Sequence, residues 1–157
     1  MSTYAKKAQF NSGNVRRRCP KDTRTGLLDR LQAWVTAACT RTEAILDDAI
    51  IEWINGFAGT EKTAIAYTMA DYCKCRDFLA ANFFCSRSDA ECSDANLIFL
   101  TVSRQICYFH APFKEKVEAV LEKDRDIAHA GPFRPFEELI VLPLGAPSRN
   151  PLSSWTH

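Results

Sequence analysis

An α/β fold, begun by a strand–helix–strand unit with parallel strands, is predicted by three features of the chain. Ala49–Ile54 (Ala-Ile-Ile-Glu-Trp-Ile) is short, apolar and rich in β-branched isoleucine, the composition of a strand buried on both faces. It breaks at Gly56 into a glycine-containing loop, and a helical pattern opens at Lys62. Phe78–Cys85 (Phe-Leu-Ala-Ala-Asn-Phe-Phe-Cys) is a second apolar run, with another helical pattern after it. Strand, loop, helix, strand, helix is the alternation that builds a parallel sheet. Only these two strands can be placed, and so small a sheet is stable only under covering helices. The expected architecture is therefore helix-rich and incomplete.

Taken in order, residues 1–22 are polar, basic and aperiodic, which reads as a flexible leader. Residues 1–31 hold eight Lys or Arg against Asp22 and Asp29, although the whole chain is only +1. The Arg16–Arg18 run could meet phosphate or nucleic acid, but a solvated leader is the plainer reading. From Thr25, a plausible N-cap, Leu27, Leu28, Leu31, Trp34 and Val35 recur at helical spacing to about Ala38. A polar connection over residues 40–48 leads to the first strand. Lys62–Cys75 is helical, with Ile65, Met69, Tyr72 and Cys73 on one stripe.

Asp94 is placed to cap a helix running to about His110, with Ile98, Val102 and Ile106 along one side. Phe113–Lys123 is a further amphipathic helix that turns Phe113, Val117, Val120 and Leu121 inward. A loop over Asp124–Pro135 precedes a short helix at Phe136–Val141. Residues 145–157 have no periodicity and two prolines, the texture of a disordered tail. One domain is thus expected over residues 23–144, between leader and tail.

The apolar and charged fractions, 46% and 25%, are those of an ordinary globular protein. No apolar run approaches the ~20 residues that span a bilayer, and the first residues lack the apolar core of a secretory signal. A cytoplasmic location without a membrane partner is the expectation. Seven cysteines, an odd number, argue for reduced structural thiols rather than a disulfide framework. Cys73-x-Cys75 is too tight for a usual zinc pair. Cys107 and His110, one helical turn apart, read as packing rather than as a catalytic pair, and no catalytic residue is assigned.

The loop at 55–63 carries the chemistry. Gly-x-x-x-x-Gly-Lys-[Ser/Thr] after a strand curls backbone N–H groups around phosphate at a helix N-terminus, where the helix dipole also favours an anion. Gly56, Gly59, Lys62 and Thr63 supply the glycines, the lysine for the outer phosphates and the hydroxyl for magnesium. Glu61 stands where the motif has its second glycine. At ~4 Å and an effective dielectric near 20, its carboxylate would repel a phosphate charge by about 4 kcal/mol. Rotating the side chain outward relieves much of that.

Longer stretches extend the pattern. Cys19-Pro20-Lys21-Asp22-Thr23-Arg24-Thr25 leads into a helix; Trp53-Ile54-Asn55-Gly56-Phe57-Ala58-Gly59 and Phe83-Phe84-Cys85-Ser86-Arg87-Ser88-Asp89 follow. With Glu122-Lys123-Asp124 and Phe136–Leu144, this series resembles fungal NACHT-domain proteins of the nephrocystin-like N-terminal type over residues 16–144. Their pattern is Cys-x-x-Gly-Thr-Arg, a helix, Trp-x-x-Gly-Pro-Ala-Gly-x-Gly-Lys-Ser, and Phe-Phe-Phe-Ser-Arg.

The resemblance implies the first part of a P-loop signalling NTPase of the STAND class, with a degenerate Walker A loop. It implies nucleotide contacts from Gly56, Phe57, Ala58, Gly59, Thr60, Glu61, Lys62 and Thr63, magnesium held by Thr63 through Mg-ATP or Mg-GTP, and Arg24 near the base or phosphates. Arg87 is expected to pair with Asp89 or Asp94. Three positions depart from the pattern: Asp22 and Glu61 replace glycines, and Phe57 replaces proline. The acidic strand that positions magnesium and water is absent, so purine nucleotide binding is expected to be weak or lost, without hydrolysis. The alternative is a non-catalytic interaction module, or decaying fragment, that meets a protein partner or a full-length relative.

Overall fold

The computed structural model describes residues 4–10, 18–40 and 51–145. The chain divides into two compact units, Asn14–Leu79 and a second formed by Met1–Gly13 with Ala80–His157.

In the Asn14–Leu79 unit, helix α1 (Thr25–Thr40) and helix α2 (Lys62–Lys74) pack together. Their apolar stripes bury Leu31 from α1 and Ile65, Tyr67 and Ala70 from α2. The starts of the two helices lie near one another, through Arg24 and Glu61. Their ends do too, where Thr36 Oγ1 and Tyr72 OH are 3.0 Å apart. The chain before α1 is tied to α2 by the Cys19 amide, which donates to Thr68 Oγ1, and by Arg18 against Asp71 at 2.8 Å.

In the other unit, α4 (Asn96–Phe109) and α5 (Ala111–Lys123) form a helical hairpin. His110 turns the corner: its Nδ1 accepts from the Phe113 amide, and Pro112 occupies the first turn of α5, where a missing N–H costs nothing. Before the hairpin, α3 (Ala90–Ser93) is a single turn capped by Asp89, which accepts from the Glu91 and Cys92 amides. After it come a 3-10 turn (Ile127–His129), a turn of α-helix, α6 (Phe133–Phe136), and a π turn (Glu137–Val141). Leu100, Phe113, Val117, Ile127 and Leu139 form the core. Burying an aromatic or aliphatic side chain this fully stabilises by about 1.5–3 kcal/mol.

The helices lie close to where the hydrophobic periodicity places them. The expected sheet is not found: among the described residues there is no strand, which overturns the parallel βαβ fold. Ala49 and Ile50 lie outside the described residues. Of the remainder of the first expected strand, Ile51 and Trp53 are 80% and 81% exposed and only Ile54 is half-buried, so the run is not the doubly covered strand its composition suggests.

The second expected strand, Phe78–Cys85, is irregular because other groups satisfy its backbone. Gln105 of α4 accepts from the Asn82 amide through Oε1 and donates to the Asn82 carbonyl through Nε2. Further along, the Phe84 amide donates to the Ala8 carbonyl. A buried amide needs a partner, not a strand in particular, and here a helix side chain and a turn supply it.

Residues 4–10, read as part of a leader, also pack. Ala5 and Ala8 are fully buried, the Ala5 amide donates to buried Thr101 Oγ1 at 2.9 Å, and the Phe10 amide donates to Asn82 Oδ1. Small side chains made this contact invisible to periodicity. The polar connection at 41–48, Arg16 and Arg17, and the tail beyond Gly145 fall outside the described residues.

Candidate functional site

The loop ahead of α2 is shaped by three residues with unusual backbone. Gly56 and Gly59 have φ of 157° and 82°. A Cβ on Gly56 would stand 2.9 Å from Thr60 Oγ1, so only glycine fits while Thr60 keeps its place. Thr60 in turn closes the loop, its amide and hydroxyl both donating to the Phe57 carbonyl.

The third residue is Glu61, with φ of 60°. This left-handed conformation costs a residue with a Cβ roughly 1–2 kcal/mol. Asp22 is likewise left-handed, at 64°. Both positions where the resembled pattern has glycine and this chain does not therefore keep a glycine-type backbone.

Lys62 folds back into the loop. Its Nζ donates to the carbonyls of Gly56 and Phe57, both at 2.7 Å, and to Thr60 Oγ1 at 3.3 Å. All three protons of the ammonium are thus engaged by the loop itself. Glu61 precedes α2 without a side-chain cap on the first turn, so the leading N–H groups of a thirteen-residue helix keep no side-chain acceptor from it. Thr63 is exposed on that turn. At the first turn of α2 the loop thus holds the Lys62 ammonium on three of its own oxygens, with the Thr63 side chain exposed beside it.

Arg24, assigned by resemblance to the nucleotide side, does come to this loop. Its Nε lies 3.5 Å from Glu61 Oε2. Neither sequence spacing nor composition relates these two residues, and their pairing went unforeseen. Phe57 is 89% exposed, and with Ile51 and Trp53 it makes three large apolar side chains displayed within seven residues.

Other expectations are not met. Asp89 pairs with Lys7 at 3.1 Å, Asp94 accepts from the amide and side chain of Asn96, and among the described residues no ion pair joins Arg87 to either. Arg18, from the basic run, is engaged by Asp71. The unit with the helical hairpin holds a cavity of about 910 Å³ between α4 and α5, and no expected site residue lines it. Its lining charges, Arg104, Lys114 and Arg125 against Glu118 and Glu122, nearly balance, so it favours neither sign of ligand.

A family model described as nephrocystin 3, N-terminal, matches residues 29–151. That span contains Gly56–Thr63 and leaves Arg24 outside. No curated protein and no solved structure matches the chain.

Proposed function

We propose a nucleotide-sensing role for this chain, which belongs to the nephrocystin 3 N-terminal family: it is a NACHT-type signalling module that binds a purine nucleoside triphosphate weakly and does not hydrolyse it. The observation that carries this reading is the Lys62 ammonium held inside the loop at the start of α2, 2.7 Å from two of its carbonyls. A phosphate arriving there exchanges neutral carbonyl acceptors for charged oxygens, and charge-assisted bonds are the stronger kind. In this reading Thr63, exposed on the next position, would share the accompanying magnesium. Turnover further requires a residue that orients the attacking water, and this reading assigns that role to no residue.

The reading is tested by thermal melting of the full chain with millimolar Mg-ATP and Mg-GTP. Ligand at ten times its Kd stabilises by about 1.4 kcal/mol, a rise of roughly 3–5 °C for a protein of this size. Lys62→Ala is expected to abolish the rise. A wild-type melting curve that neither nucleotide moves removes the reading.

A second reading rests on a different observation, the exposure of Ile51, Trp53 and Phe57 at 80%, 81% and 89%. Clustered apolar side chains in water are a usual mark of a protein-binding surface. If the chain is a non-catalytic interaction module, it associates with itself or with a relative in a concentration-dependent way that nucleotide leaves unchanged. Trp53→Ser with Phe57→Ser then abolishes association in sedimentation experiments.

A further inference from the structure

Two cations stand at the loop, and both already have partners inside the chain: Lys62 on the loop carbonyls, and Arg24 on Glu61. The second contact is the unusual one. Arg24 and Glu61 are the residues immediately before α1 and α2, and both have left-handed backbone, at φ of 54° and 60°. The Arg24 carbonyl accepts from the Leu27 and Leu28 amides, and the Glu61 carbonyl accepts from the Ile65 amide. Each backbone is therefore fixed by the helix it begins, and the side chains meet between two fixed points. The carboxylate of Glu61 thus sits against the Arg24 guanidinium at the edge of the loop.

We propose that the Arg24–Glu61 ion pair is an autoinhibitory latch on the phosphate loop, in which Glu61 occupies Arg24 as a bound anion would, so that a triphosphate must displace the carboxylate before Arg24 can join Lys62. The latch rests on the phosphate-binding reading above and adds a regulatory contact to it. With side chains 41% and 52% exposed, the pair is screened by water, and such pairs shift an equilibrium by up to about fivefold. That is a weak latch. It sets a threshold and does not close the site.

A simpler role for Arg24 is to shield the phosphate from the charge of Glu61, and the two roles predict opposite couplings. Under the latch, removing the carboxylate frees Arg24, so Glu61→Gln gains more affinity when Arg24 is present. Under the shield, the carboxylate does most harm when Arg24 is gone, so Glu61→Gln gains more in its absence. Glutamine keeps the size of Glu61 and the demand on its backbone, which separates charge from strain.

The test is calorimetric titration of Mg-ATP into the full wild-type chain, Glu61→Gln, Arg24→Gln and the double variant, at low ionic strength where screening is least. The expected result is a gain from Glu61→Gln that is smaller in the Arg24→Gln background, by up to about fivefold. An equal gain in both backgrounds, or a larger one without Arg24, overturns the latch and leaves phosphate binding standing. Absence of Mg-ATP binding in all four proteins overturns phosphate binding itself, and the latch with it.

Discussion

The two units hold their residues in place by different means. In the helical-hairpin unit, Phe113, Val117, Leu100, Ile127 and Leu139 are sealed together, and an irregular segment beside them has its backbone answered by Gln105. In the loop unit, among the described residues, Leu31, Ile65, Tyr67 and Ala70 on two helices do that work while Ile51, Trp53 and Phe57 face water. What orders the loop is local: a lysine on its own carbonyls, a threonine closing a turn, and one exposed ion pair. Few buried contacts and exposed hydrogen bonds mark regions that open at low free-energy cost. A ligand site needs such a region, and a rigid core is a poor place for one.

Paired substitutions of large aromatics offer the strongest way to break this contrast. Phe113 is 1% exposed and Trp53 is 81% exposed. Phe113→Ala is expected to cost about 3–5 kcal/mol, as buried aromatics do, and Trp53→Ala less than about 0.5 kcal/mol. Urea unfolding of the two variants measures both. Similar losses would mean that Trp53 is covered in solution, and the loop unit would then have a core of its own that includes Ile51 and Phe57.

A smaller effect sharpens the account of the loop. Glu61→Gly relieves the left-handed strain, roughly 1–2 kcal/mol, against the extra chain entropy of glycine, about 0.5–1 kcal/mol. The net expectation is a gain of up to about 1 kcal/mol in unfolding free energy, with nucleotide absent. Asp22→Gly should gain less, because aspartate tolerates this conformation better. Should Glu61→Gly destabilise, the pairing with Arg24 holds the loop together more strongly than the backbone strain opposes it.

The same residues explain how much the sequence could say. Helices α1, α2 and α5 were legible because apolar residues such as Leu31, Ile65 and Val117 recur with the period of a helix, and their burial follows from that period. Helix α4 was legible as a helix, but it buries Leu100, Thr101 and Ser103, and the expected stripe of Ile98, Val102 and Ile106 is only half-buried. The strands were misread because Ile51 to Ile54 and Phe78 to Cys85 have strand composition, whereas a strand is defined by its neighbour. Composition carries no information about whether a neighbour exists.

At the site, the resembled pattern marked positions 22 and 61 only as departures from glycine, and the left-handed backbone that both keep is visible in the structure alone. The Arg24–Glu61 contact left no trace, since it joins residues thirty-seven apart through the packing of two helices. Ala5 and Ala8 were missed for the opposite reason: they bury completely without any apolar pattern around them.

The smallest expected effect concerns pH and returns to the hairpin unit. The Lys7 ammonium, hydrogen-bonded to Asp89, holds that carboxyl below the usual carboxylate range; burial opposes this, and the Cys92 and Glu91 amides reinforce it. A carboxyl depressed in the folded state adds stability above its unfolded value, about 3.9, and loses it as pH falls through the folded value. Lys7 is raised in turn by Asp89, so its share persists through neutral pH and disappears only on the alkaline side. The stability difference between wild type and Asp89→Asn should therefore be constant from pH 5 to 8 and shrink below about pH 4. Melting temperatures across that range measure it. A difference that survives at pH 2 would place the role of Asp89 in capping α3, which a neutral asparagine also performs in part, and would remove the ion pair from among the ties that hold residues 4–10.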